Sequence, residues 1–239
     1  MTNKDQKNYN NNTLDLVKKF IDSNQRKRIN LLTQIESEVD GIFNIGYKLF
    51  DDLDKNSDDW AIGWLLQVLK KHKSKFFENA IFNNWFLTYS DINIDYNELQ
   101  LMLLEQKFED ADRLTSSYLR KLAGKLAEKR GYVFYSEVNN MSGIDLKTID
   151  RLWCIYSNGR FGFSNQAKIL KSVGKRYEFL WPKIGWKKEG LWTRYPNSFC
   201  WTLDAPEGHM PLINQLRGVR LMDAILRHPA IADRHNNIL

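Results

Sequence analysis

Residues 181–201 read W-P-K-I-G-W-K-K-E-G-L-W-T-R-Y-P-N-S-F-C-W, and this stretch holds four of the eight tryptophans of the chain. Gly and Pro interrupt it, which is typical of a loop rather than of one continuous helix. Large aromatic side chains are costly to leave in contact with water. We therefore expect that the rings of this aromatic segment (residues 181–201) either fold back as core or form a surface for a flat, apolar partner.

Length and composition indicate a globular protein that works in water. The 239 residues are 43% hydrophobic, which suffices for one large or two small cores. No run approaches the roughly 20 apolar residues that a membrane span needs. The opening residues 1–12 are polar and lack the apolar region of a signal peptide, so we predict a disordered tail there.

The charged residues and the cysteines indicate which partners, metal sites and disulfides the protein can have. A net charge of +6 favours anionic partners without naming them. Cys154 and Cys200 are the only cysteines, and neither lies in a C-x-x-C motif, so the sequence predicts neither a zinc site nor a disulfide scaffold. The four histidines are scattered, and His209 fits a turn better than a catalytic role. The sequence G-R-F-G-F-S at residues 159–164 lacks the pattern of a phosphate loop.

Apolar periodicity predicts an all-α chain with two domains. All five prolines lie at or beyond Pro182, so the front of the chain favours uninterrupted helices. We predict a helical bundle over residues 13–90, opened by Thr13 as N-cap and including helices after Ser57 and through residues 76–85. A second all-helical domain is predicted over residues 91–230, followed by a tail at 231–239.

Within the second domain, capping signals predict where individual helices begin. Asp145 is expected to cap one helix and Ser164 the next. Pro211 and Pro229 bound a last helix, Leu212–His228. At about 100° per residue this helix has two faces. The expected core stripe is Leu212, Leu216, Val219 and Leu226, and the opposite face holds Asn214, Arg217, Gly218 and Leu221.

Aromatic rings beside a face with Arg and Asn suit a broad, flat, mostly apolar ligand that has carboxylate groups. Single-stranded nucleic acid is an alternative, because aromatic residues interleaved with lysines also describe a groove in which bases stack. Composition leaves both open, together with a module for protein interaction.

Four ordered segments of the chain carry a resemblance to a known family. They are D-L-K-T-I-D-R-L-W (145–153), Y-S-N-G-R-F-G-F-S (156–164), G-W-K-K-E-G-L-W (185–192) and A-P-E-G-H-M-P-L-I-N-Q-L-R-G-V-R (205–220). They resemble the tetrapyrrole-binding core of the genomes-uncoupled-four family. The resemblance implies a helical core with a loop-lined cleft that binds protoporphyrin IX and Mg-protoporphyrin IX, without a covalent cofactor or a resident metal.

The resemblance also implies a function and a set of site residues. It implies a non-enzymatic monomer that binds the large porphyrin-binding subunit of magnesium chelatase and stimulates that enzyme at the entry to chlorophyll synthesis, without binding a specific nucleic acid. The expected location is the plastid stroma or the cyanobacterial cytoplasm, and peripheral association with a membrane stays open. The implied porphyrin contacts are Val138, Phe161, Phe163, Trp192, Phe199, Trp201, Asn214, Arg217 and Arg220.

Overall fold

The computed structural model describes residues 3–45, 48–51, 53–73, 84–213 and 219–237. The chain divides into two compact units, Met1–Leu87 and Thr88–Leu239, whereas the predicted boundary lies after residue 90. The regular secondary structure of the described residues is helical apart from one two-stranded hairpin, which confirms the predicted all-α class. None of their helices combines the length and the apolar composition that crossing a membrane requires.

The first unit is helical, and α5 is its most buried helix. Its helices are α1 (Asn3–Ile21), α2 (Gln25–Ser37), α3 (Val39–Ile45), α4 (Lys48–Asp51) and α5 (Trp60–His72). Phe20 of α1 packs against Trp60 and Trp64 of α5, with ring centroids 6.0 and 5.3 Å apart. Asp59 caps α5 by accepting the Ala61 N–H, and its carboxylate also pairs with Arg28 at 2.6 Å.

Two predictions for the first unit change. α1 begins at Asn3, so the segment that we predicted as a disordered tail over residues 1–12 is helical from Asn3 onward. Thr13 lies inside this helix and is buried, and it therefore does not cap it. The first turns of α1 have no apolar stripe, so periodicity could not reveal them. Most of the helix predicted through residues 76–85 lies outside the described residues.

The second unit contains the remaining helices and a small hairpin. In chain order they are α6 (Asn97–Leu104), α7 (Phe108–Ala123), α8 (Lys125–Arg130), a 3₁₀ helix (Tyr135–Asn140), α9 (Gly143–Ile155), α10 (Phe163–Ser172), α11 (Tyr177–Lys183), β1 (Lys187–Lys188), β2 (Leu191–Trp192), α12 (Arg220–Arg227) and α13 (Pro229–Asn237). The two strands are antiparallel.

The N-cap of the central helix α9 lies three residues before the predicted cap, Asp145. Ser142 is its N-cap and accepts the Asp145 N–H at 3.2 Å. Asp145 is buried instead, and its carboxylate accepts the Tyr96 hydroxyl at 2.8 Å and the Asp91 N–H at 2.9 Å. The prediction of Asp145 as N-cap is therefore wrong, because its side chain serves a tertiary network rather than the helix end.

The predicted cap of α10 is also displaced. α10 begins at Phe163, with Gly162 in the capping position. Ser164 lies within the first turn, where its backbone N–H donates to the buried Asp150 carboxylate at 2.8 Å. A tertiary partner again replaces the local cap that the sequence favoured.

The end of the chain is helical where a tail was predicted. Ile231 of α13 is fully buried, and Arg234 forms a buried ion pair with Asp150 at 2.7 Å. The segment that we predicted as a tail over 231–239 is therefore helical as far as Asn237, and it packs through Ile231 and Arg234.

The last predicted helix is shorter than expected among the described residues. α12 begins at Arg220, not at Leu212. Its buried side chains are Met222, Ile225 and Leu226, whereas Val219, which we predicted to be core, is exposed. Leu216 and Gly218 lie outside the described residues.

Candidate functional site

An open cleft in the second unit lies between one face of α7, the loop after α8 and the start of α12. Its cavity has a volume of about 180 Å³, which is smaller than the roughly 300–1,000 Å³ that is usual for small-molecule sites, and it is open to solvent. The lining residues are Ser116, Leu119, Arg120, Gly131, Tyr132, Val133, Phe134, Tyr135, Leu212, Ile213, Arg220 and Leu221.

The loop that forms one wall of the cleft (the cleft loop, residues 131–135) is held by a single arginine. α8 ends at Arg130 and is capped by Gly131, whose left-handed φ of 82° turns the chain away from the helix. The Arg130 guanidinium then donates to the Tyr132 carbonyl at 2.9 Å and lies 4.7 Å from the Tyr132 ring and 4.1 Å from the Phe134 ring. These contacts fix the direction of the loop.

Glu137 completes this arrangement from the 3₁₀ helix. Its carboxylate pairs with Arg130 at 2.7 Å and accepts the Phe134 N–H at 2.7 Å. Burial acts to raise the pKa of Glu137, but the hydrogen bonds from Phe134 and Arg130 outweigh it and lower that pKa. The carboxylate therefore stays charged and neutralises Arg130, so that Arg130 serves the loop rather than a ligand.

Aromatic rings and two further guanidinium groups meet at the cleft. Phe134 and Tyr135 are 40% and 48% exposed, which is high for such large rings. The guanidinium of Arg220 lies 5.4 Å from the centroid of the Tyr135 ring, and Arg120 reaches the cleft from α7. Within the described part of the chain, neither Arg120 nor Arg220 pairs with a carboxylate, so both can bind an anionic group.

Three of the predicted porphyrin contacts lie in the core. Val138, Phe161 and Phe163 are fully buried. The Phe161 ring packs against Phe108 and Trp153, with centroids 5.6 and 6.5 Å apart. These predicted porphyrin contacts are therefore buried in this conformation, because the G-R-F-G-F turn points its rings inward.

The first part of the aromatic segment stacks on itself. Trp181 and Trp186 are buried and nearly parallel, with centroids 5.7 Å apart, and the Trp186 indole N–H donates to the His209 carbonyl at 2.8 Å. Trp192 of the hairpin packs against Trp181 at 5.5 Å but stays 48% exposed, with the Lys187 ammonium 4.4 Å from its ring. Trp192 is thus the predicted contact that the structure leaves accessible in this part.

The second part forms another stacked group. Phe199 is buried, and Trp201 stacks on it with centroids 5.7 Å apart. Tyr195 contacts both rings edge-on. The Trp201 indole N–H donates to the Pro196 carbonyl at 3.0 Å, so its polar edge is satisfied within the segment.

His209 lies next to the stacked rings of Phe199 and Trp201. It is buried, and its Nδ1 lies 2.6 Å from the Ile184 carbonyl, so Nδ1 carries the proton. Its Nε2 then accepts the Cys200 N–H at 3.3 Å. Burial lowers the pKa of His209, although the bond to Ile184 acts in the opposite direction. These bonds belong to a structural histidine, in line with the turn role that the sequence favoured.

Of the three predicted polar contacts to the porphyrin, one lies among the described residues. Asn214 and Arg217 lie outside the described residues. Arg220 lines the cleft, and its role as a porphyrin contact stays a prediction. The described residues contain no cluster of histidine, cysteine or acidic side chains that could bind a metal ion.

Sequence reasoning missed several residues of the cleft, among them Arg120, Tyr132, Phe134 and Tyr135. A signal for three of them existed. The run G-Y-V-F-Y at 131–135 places three aromatic residues in four positions directly after a helix-ending glycine. Arg120 had no such signal, because an arginine on an amphipathic helix is usually solvated.

Comparison with known proteins places the chain in a family. A profile described as GUN4-like matches residues 89–229, which fall within the second unit. A Ycf53-like protein of Synechocystis sp. is 38% identical over 226 residues, covering 91% of this chain and 96% of that protein. The chloroplastic tetrapyrrole-binding protein of Arabidopsis thaliana is 40% identical over 151 residues, which cover 59% of this chain and 57% of that relative.

A solved structure agrees with this assignment. GUN4 from Chlamydomonas reinhardtii superposes with a TM-score of 0.58 and is 39% identical, covering 61% of this chain and 95% of that chain. The match at this identity includes both sequence and fold. The chain therefore belongs to the GUN4-like family.

Proposed function

We propose that the chain binds protoporphyrin IX and Mg-protoporphyrin IX in the cleft. The carrying observation is that Arg120 and Arg220 meet the exposed rings of Phe134 and Tyr135 in one cavity. A porphyrin of this kind is a flat, apolar ring with two carboxylates. Aromatic residues would cover the ring and guanidinium groups would bind the carboxylates, each through charge-assisted hydrogen bonds.

The aromatic segment supplies the second set of contacts in this proposal. Trp192 is accessible, while Phe199 and Trp201 form a stack whose outer surface is partly open. We keep all three as predicted contacts, together with Asn214 and Arg217. The buried Val138, Phe161 and Phe163 support the cleft from the core instead.

The family assignment supports a role beyond binding. We propose that the protein stimulates magnesium chelatase by delivering porphyrin to its large subunit, acts as a monomer and has no turnover of its own. The chloroplastic and cyanobacterial relatives support the plastid stroma or the cyanobacterial cytoplasm as its location. Peripheral association with a membrane belongs to the same proposal.

Porphyrin titration followed by tryptophan quenching tests the site. Arg220→Ala removes one guanidinium from the cleft and should weaken binding of protoporphyrin IX by about 1–3 kcal/mol, the scale of a hydrogen bond to a charged group. Arg120→Ala should have an effect of the same order. The double variant should bind more weakly than either single variant, and it should stimulate the chelatase poorly.

The matched control is Arg176→Ala. The Arg176 guanidinium also lies over an aromatic ring, Phe179, at 3.9 Å, but neither residue lines the cleft. This control should bind porphyrin as the wild type does. Wild-type affinity in the Arg120/Arg220 double variant would place the ligand elsewhere and contradict the proposal.

A further inference from the structure

The chain that leads into the cleft wall (the wall segment, residues 205–212) has no regular secondary structure but is held by hydrogen bonds from distant residues. The Gly162 N–H, at the start of α10, donates to the Met210 carbonyl at 2.9 Å. At the end of the segment, the Leu212 N–H donates to the buried Asp112 carboxylate at 2.6 Å. Leu212 lines the cleft, so the position of this segment decides where one part of the cleft wall lies.

One buried side chain of α10 bridges two carbonyl groups of the wall segment. Gln166 is fully buried. Its side-chain Nε2 donates to the Gly208 carbonyl at 3.0 Å and to the Pro211 carbonyl at 2.8 Å. A carbonyl can only accept a hydrogen bond, so the amide nitrogen of Gln166 must face both groups. The second bond ends one residue before Leu212.

The wall segment also approaches α10 closely. Gly208 has a left-handed φ of 73°, and a Cβ added there would lie 2.7 Å from Cδ1 of Ile169 on α10. Such a contact is too short for any side chain, so glycine is required at this position. The segment is thus packed against α10 at the same residue whose carbonyl Gln166 binds.

The choice of a glutamine at this buried position has a cost that its two bonds offset. Among the described residues, the Oε1 of Gln166 has no hydrogen-bond partner. A buried polar atom without a partner is unfavourable, and an apolar side chain of the same size would avoid that cost. The bonds to Gly208 and Pro211, rather than the filling of space, therefore explain the amide at this place.

We propose that Gln166 is the positioning residue of this cleft wall, because its amide fixes the wall segment against α10 and so sets where Leu212 lies. A wall that is ordered before the ligand arrives need not be ordered on binding, so Gln166 contributes to affinity without touching the ligand. This effect on affinity rests on the proposed porphyrin function. The effect of Gln166 on the wall segment is a property of the protein alone.

Amide hydrogen exchange on the unliganded full-length protein tests the positioning. Gln166→Met keeps the approximate volume but removes the donor, and it should speed exchange at 208–213 by about tenfold, which corresponds to about 1.4 kcal/mol, the scale of one or two hydrogen bonds. Exchange at the cleft loop should stay unchanged, because that loop opens without breaking these bonds. The matched control Lys168→Met, at an exposed position of α10, should leave both segments unchanged.

The variant Gln166→Glu adds a dependence on pH that packing alone would not produce. Glutamate has the shape of glutamine, but only its protonated form can donate to a carbonyl. Burial and two facing carbonyl oxygens favour that form and raise the pKa of a glutamate here above its ordinary value of about 4.3. Relative to the wild type at the same pH, exchange at 208–213 should therefore be faster at pH 8 than at pH 5.

Three results of the exchange experiments would overturn the proposal. The first is wild-type exchange at 208–213 in Gln166→Met, which would show that the donor is not needed. The second is the same relative exchange of Gln166→Glu at pH 5 and at pH 8. The third is an equal acceleration at the cleft loop, which would show that Gln166 acts on overall stability rather than on the wall segment.

Titration with protoporphyrin IX at pH 8 then tests whether the positioned wall serves the site. Gln166→Met should bind about 5-fold more weakly, Gln166→Glu at least as weakly, and Lys168→Met as the wild type does. A looser wall segment with unchanged affinity would show that Gln166 does not position the site. If the wild type binds no porphyrin, the proposed function fails, and the exchange data alone decide whether Gln166 holds the wall segment.

Discussion

The second unit contains two aromatic regions that differ in how their rings are satisfied. In the aromatic segment the indole N–H groups of Trp186 and Trp201 have carbonyl acceptors, and most rings stack on each other. In the cleft loop the rings of Phe134 and Tyr135 face a cavity and have guanidinium neighbours. The number of aromatic residues in a segment therefore says less about binding than the exposure of each ring and the partner of its polar edge.

A substitution within the aromatic segment provides the largest test of this difference. Trp186 is buried, stacked and hydrogen-bonded, so Trp186→Ala should lower the free energy of unfolding by about 3–5 kcal/mol, the usual cost of truncating a buried aromatic residue. Trp192 is half-exposed, and Trp192→Ala should cost much less stability and act mainly on porphyrin affinity. Denaturant unfolding of both variants, beside porphyrin titration of Trp192→Ala, measures the contrast.

The same assay can contradict the comparison. Equal losses of stability in the two variants would mean that Trp192 is as much part of the core as Trp186. A stable Trp186→Ala protein with weakened porphyrin binding would mean that the stacked rings are a ligand surface after all.

The sequence allowed the fold class and the central helices to be predicted, because they depend on apolar periodicity and helix caps. α5 begins after Asp59, within the predicted Ser57–Asp59 signal. The predictions failed where contacts between residues distant in sequence determine the local structure. Asp145 and Ser164 looked like caps but engage buried networks, and Arg234 holds a helix in a segment that looked like a tail.

The site was less predictable, for a physical reason. A Phe in a glycine-rich turn points inward or outward depending on the packing of helices that lie far away in sequence, and Phe161 points inward against Phe108. Arg220 could be assigned only through the family resemblance. The sequence did not mark Asp112 as a residue of the site, because its hydrogen-bond partner Leu212 lies one hundred residues later.

The two aromatic regions should also differ in the sign of their response to pH. His209, within the aromatic part, has a lowered pKa, so below about pH 6.5 the unfolded chain takes up a proton that the folded chain resists, and acid destabilises the fold. Asp112, beside the cleft, has a raised pKa near 7, so its contribution to stability falls as pH rises from about 4 to 7.

Unfolding of the wild type and of Asp112→Asn at pH 5.5 and 7.5 isolates the second contribution. The gain in stability from pH 5.5 to pH 7.5 should be larger in Asp112→Asn by about 1–2 kcal/mol, since one pKa unit corresponds to about 1.4 kcal/mol. Asp110→Asn should follow the wild type. A smaller gain in Asp112→Asn than in the wild type would show that the pKa of Asp112 is not raised by the fold.

The smallest expected effect concerns the lysines around the aromatic segment. Lys183 and Lys188 are exposed and suit non-specific binding of phosphate groups, so single-stranded RNA should bind weakly at about 150 mM salt and lose affinity steeply as salt increases. Replacing both lysines with Ala should make the plot of log K for RNA against log salt concentration less steep. The slope should change by about 0.7 for each phosphate that the protein no longer neutralises, and porphyrin affinity should stay unchanged. Filter binding over a salt series, beside the porphyrin titration, measures both. Tight, sequence-selective RNA binding that porphyrin does not displace would favour the nucleic-acid alternative, because base stacking on Trp192 would then be the main use of this surface.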